Sequence, residues 1–169
     1  MMKRKIQALV LVLALFFSPS CWAAAKSLAQ YRNTEYGYSI MVLDTFRINP
    51  EIKFPMIFHG KDEFAMLNII MANRADISVA DDRLGEWLFE YGSKAAAAMD
   101  GEIVSQQRVT LNNRDAYFTL FVFKRNGKDY VFIMESVPDG KFIYNIAAIT
   151  LPVDGYAELI MQSINSFRW

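Results

Sequence analysis

Cysteine, histidine and any surplus of one charge are scarce in this chain of 169 residues, which has one cysteine, one histidine, and 18 basic against 18 acidic residues. A single thiol, Cys21, rules out an intramolecular disulfide, so stability must come from core packing. A lone histidine, His59, rules out a multi-histidine metal site and the histidine pair of a zincin helix within one chain. Balanced charge argues against a broad nucleic-acid footprint, which needs a clear basic surplus. Glycine (8) and proline (5) are too few for a collagen-like or low-complexity polymer. No Gly-x-Ser-x-Gly turn exists to expose a nucleophile. Gly60-Lys61, Gly127-Lys128 and Gly140-Lys141 each lack the upstream glycine and following Ser/Thr of a nucleotide loop. Apolar residues, in contrast, make up 53% of the chain and aromatics 14%, so a chain of this length folds as one domain around a sizeable core.

The N-terminus reads as a targeting signal. Lys3-Arg4-Lys5 is a basic start, Ile6 to Phe17 is an almost unbroken apolar run, and Ser18-Pro19-Ser20 breaks it ahead of Ala23-Ala24-Ala25. That order is the one of a secretory signal peptide, and the run falls short of the roughly 18–20 residues of a bilayer-spanning helix. Small residues place cleavage after Ala23 or Ala25. Taking residues 1–25 as the signal, 169 less 25 leaves 144 mature residues with 15 basic and 18 acidic groups, a net charge of −3 and no cysteine. Cys21 lies where a bacterial lipoprotein carries its acylated cysteine, although Ser18-Pro19-Ser20 is a poor approach to such a site; it is the candidate for lipidation. The expected location is periplasmic or extracellular, with membrane attachment only through Cys21.

Residues 26–169 read as one domain. Tyr36–Val42, Met56–His59 and Ala65–Ala72 are rich in aromatic and branched residues and are expected as strands of a first sheet segment. Ser78, with Asp81 three residues on, resembles a capping box opening a helix near 79–99. Its apolar stripe is Leu84, Trp87, Leu88, Tyr91, Ala95 and Met99, and Glu90 with Lys94 makes a favourable i,i+4 pair on its solvated side. Ile103–Thr110, Ala116–Phe123, Tyr130–Val137 and Phe142–Thr150 are expected as a meander of antiparallel strands. Asn126-Gly127 and Asp139-Gly140 are its hairpin turns. The near-continuous apolar runs at 117–123 and 130–134 require cover on both faces. The helix near 79–99 and a terminal helix over about 154–166, with Tyr156, Ile160, Ile164 and Phe167 on one side, are the available covers. The expected fold is therefore α+β, a three-layer α/β/α sandwich around a largely antiparallel sheet.

Candidate chemistry is sparse. His59 follows an apolar strand and precedes Gly60-Lys61, where a surface imidazole is expected rather than a catalytic one. Asp62-Glu63, and Asp81-Asp82 with Glu86 and Glu90, lack EF-hand spacing, and acids at a helix start complement its dipole. Trp87, Tyr91, Tyr117, Phe121 and Phe132 fall in periodic apolar segments and are assigned to the core. Tyr31, Tyr36 and Trp169 lie nearer the ends of the domain and are the candidates for binding a partner. No catalytic, metal or cofactor residue is assigned.

Tyr36-Gly37-Tyr38-Ser39-Ile40, Asn113-Arg114-Asp115-Ala116-Tyr117, and Tyr144-Asn145-Ile146 leading through Pro152 to Ile164-Asn165-Ser166-Phe167 resemble the PsbP-like α/β/α proteins. That family includes extrinsic photosystem proteins, the Ran-binding Mog protein and bacterial envelope proteins of the DcrB type. The chain departs from the family pattern at Leu43 and Phe46, where members often have Pro and Trp, and at Asn112-Asn113, where a turn glycine is usual. The resemblance implies a non-enzymatic accessory or interaction role with a protein partner, and supplies no catalytic residue. The expected function is an exported, non-catalytic binding or accessory protein of the bacterial envelope. The alternatives are a small secreted hydrolase using a carboxylate pair, and a secreted effector or immunity-type protein.

Overall fold

In the computed structural model, residues 27–48, 56–59, 65–152 and 156–169 are described. The expected signal segment 1–25 with Cys21, the acids Asp62-Glu63, Gly60-Lys61 and the first residues expected for the terminal helix lie outside them. Among the described residues, nine strands and two α-helices follow in chain order: β1 (Leu28–Asn33), β2 (Tyr38–Leu43), β3 (Arg47–Ile48), β4 (Met56–His59), β5 (Ala65–Asn73), α1 (Leu84–Ala98), β6 (Glu102–Leu111), β7 (Arg114–Arg125), β8 (Lys128–Pro138), β9 (Phe142–Thr150) and α2 (Tyr156–Asn165). One sheet holds seven of the strands in the order β3-β4-β5-β9-β8-β7-β6, every pairing antiparallel. The five long strands β5 to β6 form its body, and β3 and β4 extend one edge. Among the described residues no helix is long and apolar enough to cross a membrane.

Turn chemistry sets the meander. Asn126 (φ 52°) and Gly127 (φ 75°) both adopt the left-handed conformation that a two-residue hairpin with the correct twist requires, and they lock Arg125 opposite Lys128. Asn112 (φ 51°) and Asn113 (φ 63°) close the β6–β7 turn in the same way without glycine, because asparagine tolerates this region best among the side-chain-bearing residues. The Asp139-Gly140 turn works differently from the expected repeat. The Asp139 carboxylate accepts from the Lys141 and Phe142 amides at 2.9 and 2.6 Å, and only Gly140 is left-handed.

Strand alternation sends Tyr117, Thr119 and Phe121 to one face and Phe118 and Leu120 to the other. Helix α1 covers the first face. Its buried residues are Leu84, Leu88, Gly92 and Ala96, a narrow stripe four residues apart rather than the broader one expected from hydropathy. A Cβ on Gly85 would come within 2.7 Å of Tyr117, and one on Gly92 would run into Thr119, so the helix approaches β7 as closely as its backbone permits. Thr119, the polar interruption of its strand, is thereby buried. It accepts from Gln106 Nε2 at 3.2 Å, and the same amide group donates to the Phe89 carbonyl at 2.9 Å. Tyr91, assigned to the core by its spacing, is instead 36% exposed.

The helix start also departs from the capping-box expectation. Ser78 is exposed, no side chain caps the 3-10 turn Asp81–Arg83 that precedes α1, and α1 itself has no side-chain cap. Arg74 organises the approach instead, donating to the Ile77 and Val79 carbonyls and pairing with Asp81 at 2.8 Å.

The opposite face is covered by α2 together with the β1–β2 hairpin, which forms a separate two-stranded sheet. The strand expected near Tyr36 therefore belongs to this covering layer, not to the main sheet. Its partner β1 carries no period-2 apolar pattern that would announce a strand. Tyr36 and Gly37 lie in the turn between the two. Ile160, Ile164 and Phe167 from the C-terminal segment pack with Tyr38, Ile40, Leu120, Ile133 and Ile146 in the main core. Ser166 Oγ accepts from the Met41 amide at 2.7 Å, and a backbone bridge pairs Ser39 with Arg168, so the first hairpin and the last residues are stitched together.

Candidate functional site

Two of the three partner-binding candidates, Tyr31 and Trp169, meet at one aromatic cluster. Its centre is Tyr38, Tyr144 and Phe167, all buried, with Tyr38 and Phe167 ring centroids 5.4 Å apart and Tyr144 and Phe167 5.2 Å apart. Trp169 stacks on Tyr144 at 6.3 Å and 11°, and Tyr31 leans on Tyr38 at 6.4 Å. Both are half-buried, as is Tyr36, which packs against the same core from the β1–β2 turn. The Arg114 guanidinium lies over the outer Trp169 ring, 4.7 Å from its centroid. Burial pushes the Tyr38 and Tyr144 phenols up to about 12, so the cluster carries no phenolate at neutral pH. Such an arrangement offers flat apolar faces with polar tips and one stacked cation.

The other residues singled out by type and spacing fall on quieter ground. His59 sits in β4 opposite Arg47 and Met66, at the end of a short strand. Trp87 and Tyr117 are half-buried, and Phe121 and Phe132 are buried and stacked at 4.4 Å. Glu90 makes no ion pair with Lys94 or with any other described residue. Among the described residues no three of His, Cys, Asp and Glu gather as a metal site.

Two further features carry little signal in the sequence. Glu135, on β8, points with Ile133 and Val137 into the core beneath α2, between Phe118 and Ile146 on the neighbouring strands; it is 3% exposed. Burial alone lifts its carboxyl to about 7, with no charged neighbour contributing. An acid sharing inward parity with Ile133 and Val137 is the one available signal. The second feature is a pocket of about 310 Å³ at the head of α1, whose lining includes Ser78, Ala80, Arg83, Glu86, Trp87 and Glu90. Hydropathy places Trp87 in the core and so hides it.

The chain shares its layered fold with known structures. It superposes on cyanobacterial PsbP (CyanoP) from Synechocystis sp. PCC 6803 with a TM-score of 0.65 at 12% identity, covering 90% of this chain and 98% of that one. The chain has the PsbP/Mog1-like fold. The Saccharomyces cerevisiae Ran-binding protein Mog1p shares this fold with a TM-score of 0.57 at 9% identity, over 85% of this chain and 96% of that one. LpqN, involved in cell envelope biogenesis of Mycobacterium tuberculosis, shares it with a TM-score of 0.54 at 13% identity, over 83% and 86%. No family model matches the chain, and no curated protein matches its sequence. The PsbP/Mog1-like fold is thus carried here by layer order and strand topology, at identities where few individual side chains are shared.

Proposed function

We propose that the chain is an exported, non-catalytic binding or accessory protein of a bacterial envelope, and that it contacts a protein partner through Tyr31, Tyr36 and Trp169. The observation that carries this reading is the half-buried rim of the aromatic cluster, where Trp169 stacks on Tyr144 and has the Arg114 guanidinium over its ring. Rigid tyrosine and tryptophan faces lose little conformational entropy on docking and dominate the energetics of protein interfaces. Proteins of the same fold include a Ran-binding protein and an envelope-biogenesis protein, which supports a contact role. The leader-like N-terminus supports export. A carboxylate-pair hydrolase would need two coupled acids, whereas Glu135 is lifted by burial without a charged partner.

A photo-crosslinking amino acid placed at 31, 36 or 169 in the native host is expected to yield a discrete protein adduct, and one placed at 126, on the opposite hairpin, is not. Absence of an adduct from all three positions, or the same adduct from position 126, would overturn the reading. Against the partner so identified, Trp169→Ala is expected to weaken binding about 10-fold or more. Mass measurement of the mature N-terminus tests export directly, since a chain beginning at Lys26 and one beginning at acylated Cys21 differ by the lipid and five residues.

A further inference from the structure

The pocket at the head of α1 has a composition that neither helix capping nor core packing accounts for. Trp87 forms part of its wall, and its ring is stacked on that of Tyr91, 5.8 Å away and 17° from parallel. Two carboxylates, Glu86 and Glu90, line it with a single cation, Arg83. Glu86 lies in the first turn, where an acid complements the helix dipole, but that effect fades beyond the first turn and does not reach Glu90. Glu90 also has no ion-pair partner among the described residues. The Arg83–Glu86 pair is long, 3.3 Å from both Nε and Nη2 to one oxygen, and both side chains are 71% exposed, so it is readily exchanged for another cation.

We propose that this pocket receives an arginine side chain from a basic segment of a protein partner, stacked on Trp87 and paired with Glu86 and Glu90. A guanidinium is planar, lies on aromatic faces and presents several donors to carboxylates, which matches a flat wall flanked by two acids. The volume sits at the low end of the roughly 300–1,000 Å³ of ligand sites, which suits one side chain better than a larger organic ligand. The chain already shows the same chemistry at Trp169, where Arg114 is the stacked cation. The pocket rests on the contact role proposed for the chain and extends it to a second surface, on the α1 face.

The test uses the purified chain and an acetylated, amidated Gly-Arg-Gly-Arg-Gly peptide, with the indole resonance of Trp87 as readout. Saturable shifts of Trp87 are expected at low salt, weakening as ionic strength rises. The citrulline version of the peptide, which keeps the shape and loses the charge, is expected to bind at least 10-fold more weakly. The double variant Glu86→Gln/Glu90→Gln, at two positions on the solvated side of the helix, is expected to lose at least 10-fold. Tyr91→Ala, which removes an exposed ring, is expected to lose about 3-fold. No saturable shift, equal binding of the citrulline peptide, or full affinity in the double glutamine variant would overturn the proposal. So would phosphocholine shifting Trp87 where the arginine peptide does not. A failure here leaves crosslinks from positions 31, 36 and 169 intact, and loss of those crosslinks leaves peptide binding intact, so the two proposals fail separately.

Discussion

Glu135 is the residue at which this fold accepts a cost. Its carboxyl is shut between Phe118 and Ile146 and lifted from an ordinary 4.5 to about 7 by burial, so the folded chain holds a proton that the unfolded chain releases above about pH 4.5. The stability tied to that proton is fully present below pH 4.5, declines as pH rises toward 7, and is gone above it. The raised value corresponds to about 3 kcal/mol. The denaturant midpoint is therefore expected to be lower at pH 8 than at pH 5. Glu135→Gln, which keeps the shape without the charge, is expected to flatten that dependence and to stabilise the chain at pH 8. Superimposable pH profiles for the two proteins would show that Glu135 is not the group responsible. The polar pair Ser136 and Asn145, buried on the other face and bonded at 2.6 Å, shows the usual solution, in which each buried polar group brings its partner.

At the scale of elements, the position of α1 is set by what its buried side lacks. Gly92 lies against Thr119, whose Cβ and Cγ2 would stand 3.0 Å from an added methyl and whose hydroxyl is held by Gln106, so neither side can yield. Gly92→Ala gains helix propensity of about 1 kcal/mol but is expected to lose about 1–3 kcal/mol by overpacking, a net fall in thermal midpoint. An unchanged or raised midpoint would mean that α1 can move off the sheet. Ser166→Ala, which leaves the Met41 amide without its acceptor, is expected to cost about 1–3 kcal/mol in denaturant unfolding. These elements also show how much of the fold is legible in the residues alone. The β6–β9 meander follows from Asn126-Gly127 and from apolar runs that need cover on two faces. The stripe of α1 does not, because glycine and alanine carry little hydropathy while Trp87 and Tyr91 carry much. Strand β1 is hidden because Leu28 and Tyr31 are its only half-buried apolar side chains, and its conformation comes from pairing with β2. Of the candidate site, the aromatic rim can be named from its position near the ends of the domain. Its convergence on Tyr38, Tyr144 and Phe167 requires the topology.

For the molecule as a whole, the central strands and the covering layer differ in how they are held. Strands β7, β8 and β9 are paired on both edges and covered on both faces, while the β1–β2 hairpin is a two-stranded unit fixed by packing and by the Ser39–Arg168 bridge. Amides of β8 are expected to exchange with solvent only through global unfolding, and those of β1 through smaller openings, as measured by native-state hydrogen exchange. Equal protection in the two would contradict a separable layer. The same bridge has a temporal side. A chain emerging amino end first, from a ribosome or through a translocation pore, presents Ser39 more than a hundred residues before Arg168 appears. Its opening hairpin therefore waits unlatched through nearly all of synthesis or passage, and a product that stops short of the final turn of chain is left open for proteases to find.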